Sequence, residues 1–120
     1  MKTLLLAAPL VVVLGSSCAG VPLPRESLTN PSALLFNGYL KPDVTCYKCH
    51  GGDGKGTLRG PNLFKAAPEK TDKEIVEYIK NGKSFMPAFK DKLNDEEVNQ
   101  LLAWVRETFP SPAAAPAPAP

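Results

Sequence analysis

A chain of 120 residues with a formal net charge of +2 leaves room for one small domain and carries no basic excess of the kind nucleic acid demands. Its three cysteines and single histidine also limit metal chemistry. A structural zinc site takes four ligands; Cys46, Cys49 and His50 lie together, but there is no second histidine and the third cysteine, Cys18, is far upstream in an apolar leader, which argues against zinc.

Residues 1–17, MKTLLLAAPLVVVLGSS, follow Lys2 with an apolar stretch from Leu4 to Leu14 that is too short to span a bilayer, and read as a secretory signal. Cys18 comes next. The stretch LGSSC resembles a bacterial lipoprotein signal, which implies a lipidated cysteine as the mature N-terminus and, with Ala19 rather than aspartate after it, the outer membrane. Ordinary cleavage after Ala19, with small residues at 17 and 19, is the alternative and would leave a soluble periplasmic protein. Lipidation is favoured because an odd free thiol is a liability in an oxidising compartment. Residues 18–29 then read as a tether stiffened by Pro22 and Pro24, its eleven residues after the cysteine reaching at most about 35 Å.

The folded domain is expected over 30–109. Asn30 before Pro31 predicts a capped helix carrying Ala33, Leu34, Leu35 and Phe36, cut short by Gly38 and Pro42. The run CYKCH follows at 46–50. Cys-x-x-Cys alone could be a redox dithiol, but that motif belongs with strands alternating with helices, and the flanks here read as loops and helices. With the adjoining histidine the spacing is the attachment signature of c-type haem: each thiol forms a thioether to one vinyl group, and His50 sits under the iron as proximal ligand. In GGDGKG, Lys55 is followed by Gly56 rather than by serine or threonine, and no strand precedes it, so a phosphate loop is excluded. Glycines that accept positive φ, letting the chain turn tightly at the haem edge, suffice to explain the run.

Two longer helices follow. In TDKEIVEYIKNG, Thr71 caps, Glu74 closes a capping box, Ile75, Tyr78 and Ile79 share a face, and Gly82 ends the helix. NDEEVNQLLAWVRETF repeats the logic with Asn94 and Glu97, and spaces Val98, Leu101, Leu102 and Val105 as one stripe. The acidic residues at both starts are accounted for by capping and the helix dipole and carry no catalytic role. Between the helices, Pro87 biases Met86 toward an extended conformation in a loop able to aim a thioether. Met86 is the only methionine besides the initiator, which makes it the candidate for the sixth iron ligand, against the plain alternative of a core filler. No stretch alternates well enough to be a strand, so the fold class is all-α. From 110 to 120 the Ala/Pro repeat is expected to be an extended, disordered tail.

CYKCHGGDGKG, GPNLF, MPAF and LLAWVRETF, in that order over roughly residues 44–109, resemble the small class I cytochromes c. The resemblance implies helices wrapped around one covalent haem c, with thioethers at Cys46 and Cys49 and with His50 and Met86 on the iron. It implies that the Pro61 carbonyl accepts the His50 ring hydrogen bond, and that the last helix crosses the first near the haem edge, with Leu101 and Trp104 at the contact. One region departs from the pattern: the family's first helix runs almost directly into the haem motif, whereas here Phe36 and Gly38 lie well upstream and Pro42 intervenes.

The expected function is one-electron transfer between redox proteins outside the cytoplasm, without catalysis by the protein itself, since the sole histidine is taken up as a ligand and no nucleophile and base pair remains. A haem that binds or senses a small gas through displacement of Met86 is the alternative, and a haem subunit tethered to a larger enzyme is a third reading. Arg59 is a candidate for a haem propionate or a solvated surface residue. Without the leader, 13 basic residues face 12 acidic ones. Lys48, Lys55, Lys83, Lys90 and Lys92 nevertheless fall around the expected haem, either as a docking ring for a redox partner or for solubility. A monomer is expected, without nucleic acid.

Overall fold

The computed structural model describes residues 19–110; the leader, Cys18 and the tail beyond Pro110 lie outside them. Among the described residues, five helices make up the regular structure: α1 (Pro31–Phe36), α2 (Tyr47–His50), α3 (Leu63–Ala66), α4 (Asp72–Asn81) and α5 (Asp95–Thr108), with 3-10 turns at Arg25–Ser27 and Ala67–Glu69. No strand occurs among the described residues, only two isolated bridges, Thr57 with Gly60 and Lys83 with Met86.

The helices begin where side chains meet orphan N–H groups. The Asn30 side chain accepts from the Ser32 amide at 2.8 Å and Pro31 occupies the first turn of α1. Both long helices have complete capping boxes, Thr71 with Glu74 and Asn94 with Glu97. On α5, Val98, Leu101 and Val105 are buried, and Leu102 packs beside them at the helical period. This stripe joins two cores. Leu35, Val44, Phe89, Leu93, Val98 and Leu101 form one, and Ala67, Ile75, Val105 and Phe109 the other, with Ile79 and Trp104 packed against both.

The crossing of first and last helices is present despite the long connection to the haem motif. α1 packs on α5, the Phe36 ring lies 5.0 Å from Trp104, and Trp104 meets Phe109 edge-on at 5.6 Å. The inserted residues are pinned: Val44 is fully buried, and the Lys41 ammonium bonds Glu97 at 2.7 Å and the Lys92 carbonyl at 2.9 Å. The extra length is therefore held by one buried side chain and one cation at the start of α5.

The tether expected over 18–29 does not run free. Within it, Gly20, Val21 and Leu23 hydrogen-bond through their backbone to the haem-motif segment or to Asn37 and Tyr39 just after α1, so the packed unit begins ten residues earlier than the sequence suggests. The cause is backbone pairing, which leaves no side-chain signature to read.

Candidate functional site

Two adjoining cavities, of about 300 and 190 Å³, open between α2, the loop after α4 and the inner faces of α4 and α5. Together they fall within the roughly 300–1,000 Å³ range of cofactor sites. Cys46, His50, Pro61, Met86 and Phe89 line both, while Cys49 and Arg59 line the larger. The scattered candidates of the sequence, some 40 residues apart between Cys46 and Met86, thus meet around one space. Phe36, Leu63, Ile75, Tyr78, Ile79, Leu93, Leu101 and Val105 make the inner wall apolar. At the helix crossing that the resemblance implies, Trp104 meets Phe36 of α1 and Leu101 shares a core with Leu35, while Leu101 also lines the smaller cavity.

α2 is a single turn, too short to persist on its own. The chain around it satisfies its open carbonyls: the Thr57 hydroxyl donates to Cys49 at 2.7 Å and the Gly56 amide to His50 at 2.7 Å. Thr57 has no counterpart in the sequence reading, because a threonine in a loop does not announce its acceptor. The His50 ring donates from Nδ1 to the Pro61 carbonyl at 3.1 Å, leaving Nε2 with its lone pair. Burial holds the His50 pKa below the usual histidine value, against an opposing pull from the Pro61 hydrogen bond, and so favours the neutral imidazole. Burial likewise pushes the Cys46 thiol up to about 12; a backbone hydrogen bond opposes the shift and Cys49 adds to it. A thiol so placed stays protonated at neutral pH and is a poor redox nucleophile.

Met86 reaches the cavities on a two-residue hairpin. The Lys83 amide donates to the Met86 carbonyl at 3.1 Å and the Met86 amide returns to Lys83 at 2.9 Å, which puts Ser84 and Phe85 at the tip. Ser84 takes φ 54°, and the Phe85 side chain is 96% exposed. The loop is then tied back: Phe89 and Lys90 amides donate to the Ile79 and Lys80 carbonyls at 3.0 and 3.1 Å, satisfying the open end of α4. Gly82 makes the tight exit from α4 possible, with φ 71° and no room for a methyl group beside the Met86 carbonyl.

At the rim, Arg59 is exposed, its amide bonded to the Thr57 hydroxyl at 3.0 Å. Lys48 and Lys83 also line the larger cavity, Lys83 donating to the Tyr78 hydroxyl at 3.0 Å. Lys55, Lys90 and Lys92 are exposed but outside the lining. No cluster of three or more acidic, histidine or cysteine side chains able to hold a metal ion occurs among the described residues.

Residues 37–105 match the family model described as cytochrome c oxidase, cbb3-type, subunit III. The chain is similar to cytochrome c6 of Thermosynechococcus vestitus, 35% identical over 97 residues that span 75% of this chain and 86% of that protein. A cytochrome c6-like protein of Nostoc sp. is 35% identical over 88 residues, 68% of this chain and 79% of its own. Among solved structures, the c-type cytochrome XoxG from Methylobacterium extorquens AM1 aligns with a TM-score of 0.50 at 29% identity, covering 63% of this chain and 50% of that one.

Proposed function

Since the chain belongs to the small class I c-type cytochromes and carries haem c covalently on Cys46 and Cys49, we propose that His50 and Met86 ligate the iron and that the protein carries single electrons between redox proteins outside the cytoplasm. The observation that carries this reading is the meeting of the chain's only histidine and its only methionine besides the initiator in the same two cavities as Cys46. The donor set and its surroundings suit the group: an apolar cavity wall, an uncharged Cys46 sulfur, and an imidazole kept neutral by burial.

When bound, haem supplies a one-electron iron couple. The chain does the rest. The Pro61 carbonyl fixes the His50 tautomer and ring direction, so that the Nε2 lone pair would be available to hold the iron. Met86 contributes a soft thioether, which favours the reduced iron and raises the potential. Arg59 at the rim is positioned for a propionate, and Lys48 and Lys83 give the mouth of the site a positive edge for an acidic partner face. If His50 and Met86 both held the iron, no coordination site would remain for a substrate, and the protein would not itself be an enzyme.

In this reading the protein is a monomeric, exported electron carrier, held at the periplasmic face of a membrane by a lipid on Cys18, with the outer membrane favoured. Its partners are a redox donor and acceptor, and no nucleic acid takes part. The test is spectroscopy of the purified full-length holoprotein. A weak far-red band in the oxidised state, lost in Met86→Ala, is the expected result. A spectrum and potential untouched by that substitution, or rapid carbon monoxide binding by the reduced unmodified protein, would favour the gas-binding alternative. Acyl mass on Cys18 in the membrane fraction tests the anchor separately.

A further inference from the structure

Of the open carbonyls on α2, two are satisfied from the glycine-rich loop that follows it, and the third, that of Lys48, is satisfied from the far N-terminus. The Gly20 amide donates to it at 2.8 Å. The contact continues along the chain: the Gly52 amide donates to the Val21 carbonyl at 3.0 Å, the Leu23 amide to Asn37 Oδ1 at 2.9 Å, and the Tyr39 hydroxyl to the Leu23 carbonyl at 2.8 Å. Asn37, only 2% exposed, completes the net by donating from Nδ2 to the Ala33 carbonyl at 3.0 Å.

The fit admits backbone only. A methyl group on Gly20 would collide with the Tyr47 carbonyl oxygen, and one on Gly52 would stand 2.5 Å from the Leu23 nitrogen and 2.6 Å from the Val21 carbonyl. Two segments separated by some thirty residues therefore approach closely enough that only glycine fits at positions 20 and 52, immediately behind the helix that Cys46 caps and that carries Cys49 and His50.

We propose that residues 20–23 are a positioning strap for the haem-attachment helix, holding its carbonyl end so that the direction of the His50 ring, and with it the iron potential, depends on an intact N-terminal segment. Both maturation routes keep the strap. Processing at Cys18 leaves two residues ahead of Gly20; cleavage after Ala19 makes Gly20 the terminus, and its ammonium still faces the Lys48 carbonyl while adding a positive charge beside the ligand-bearing helix. Trimming as far as Arg25 removes the strap altogether. The potential readout rests on ligation by His50, whereas the strap does not.

The test compares the full-length holoprotein with Gly20→Ala, Tyr39→Phe, a deletion of residues 20–24, and Arg25→Ala as a control outside the strap. Amide exchange at Gly52 reads the strap without reference to iron, and the midpoint potential reads its action on the ligand. Gly20→Ala and Tyr39→Phe are expected to speed Gly52 exchange at least about fivefold, the loss of one hydrogen bond, and to shift the potential in the order deletion, Gly20→Ala, Tyr39→Phe. Arg25→Ala is expected to change neither. If the deletion form does not accumulate, the two point variants decide. Unchanged exchange in both overturns the strap, and faster exchange with an unmoved potential overturns the positioning role. Ligation by His50 is checked by the spectrum of the unmodified protein, so a failure there leaves the exchange result standing.

Discussion

Replacing Arg106 by methionine tests how the last helix holds the cavity wall. Its guanidinium makes three bonds: Nε to Asp72 at 2.7 Å, Nη1 to the Ala67 carbonyl at 2.8 Å and Nη2 to the Lys70 carbonyl at 2.6 Å. Ala67 and Lys70 both line the smaller cavity. The Asp72 arm contributes little, because that carboxylate is 68% exposed and surface ion pairs are worth about 0–1 kcal/mol. The carbonyl arms are part-buried and charge-assisted, a class worth about 1.5–3 kcal/mol each, and roughly half of that is regained when water reaches the vacated carbonyls. The expected loss is about 2 kcal/mol, with methionine retaining the packing of the stem. For a domain of this size it lowers the thermal midpoint of the oxidised holoprotein by about 8–16 °C, followed by circular dichroism. Arg106→Lys keeps the charge without the fork and should fall between the two. A midpoint for Arg106→Met within about 2 °C of the unmodified protein, or an Asp72→Asn variant as costly as Arg106→Met, would refute the assignment of the energy to the carbonyl arms.

Phe36→Ala, which removes a ring 3% exposed, is expected to cost about 3–5 kcal/mol in urea unfolding. Gly82→Ala combines the left-handed backbone penalty of about 1–2 kcal/mol with a clash at the Met86 carbonyl, and should weaken the far-red band if Met86 is a ligand. Stability should also follow pH. Glu97, held down by its hydrogen bond to Lys41 and then by Asn94, contributes above 4.5 and loses that contribution below. Thermal midpoints are therefore expected to decline in acid. Lys41→Met should flatten that decline, and a midpoint rising into acid would contradict the sign.

What could be read from the sequence was what is decided locally. The starts of α1, α4 and α5 fall at the residues their caps predict, because an N-cap and its partner amide lie within three residues of each other. The cavity candidates were legible for a different reason: cysteine, histidine and methionine are so scarce here that their positions stand out. α3 escaped notice although Asn62 caps it, accepting from the Phe64 amide at 2.9 Å, because four residues leave no periodicity to detect. The N-terminal strap and the Arg106 fork escaped for a common reason. Both are aimed at main-chain atoms a dozen or more residues away, and main-chain atoms have no sequence identity.

Trp104, the only tryptophan in the chain, packs between Phe36 and Phe109, tilted against the first and edge-on to the second, and Phe36 is itself part of the cavity wall. Its indole is therefore separated by a single ring from the cavity that would hold the coloured cofactor. In the native protein that nearness should leave the fluorophore almost dark through energy transfer, and separation of the two on unfolding should light it. The molecule thus contains its own optical gauge of whether the chain is still closed around its pigment, readable at micromolar concentration without any added label.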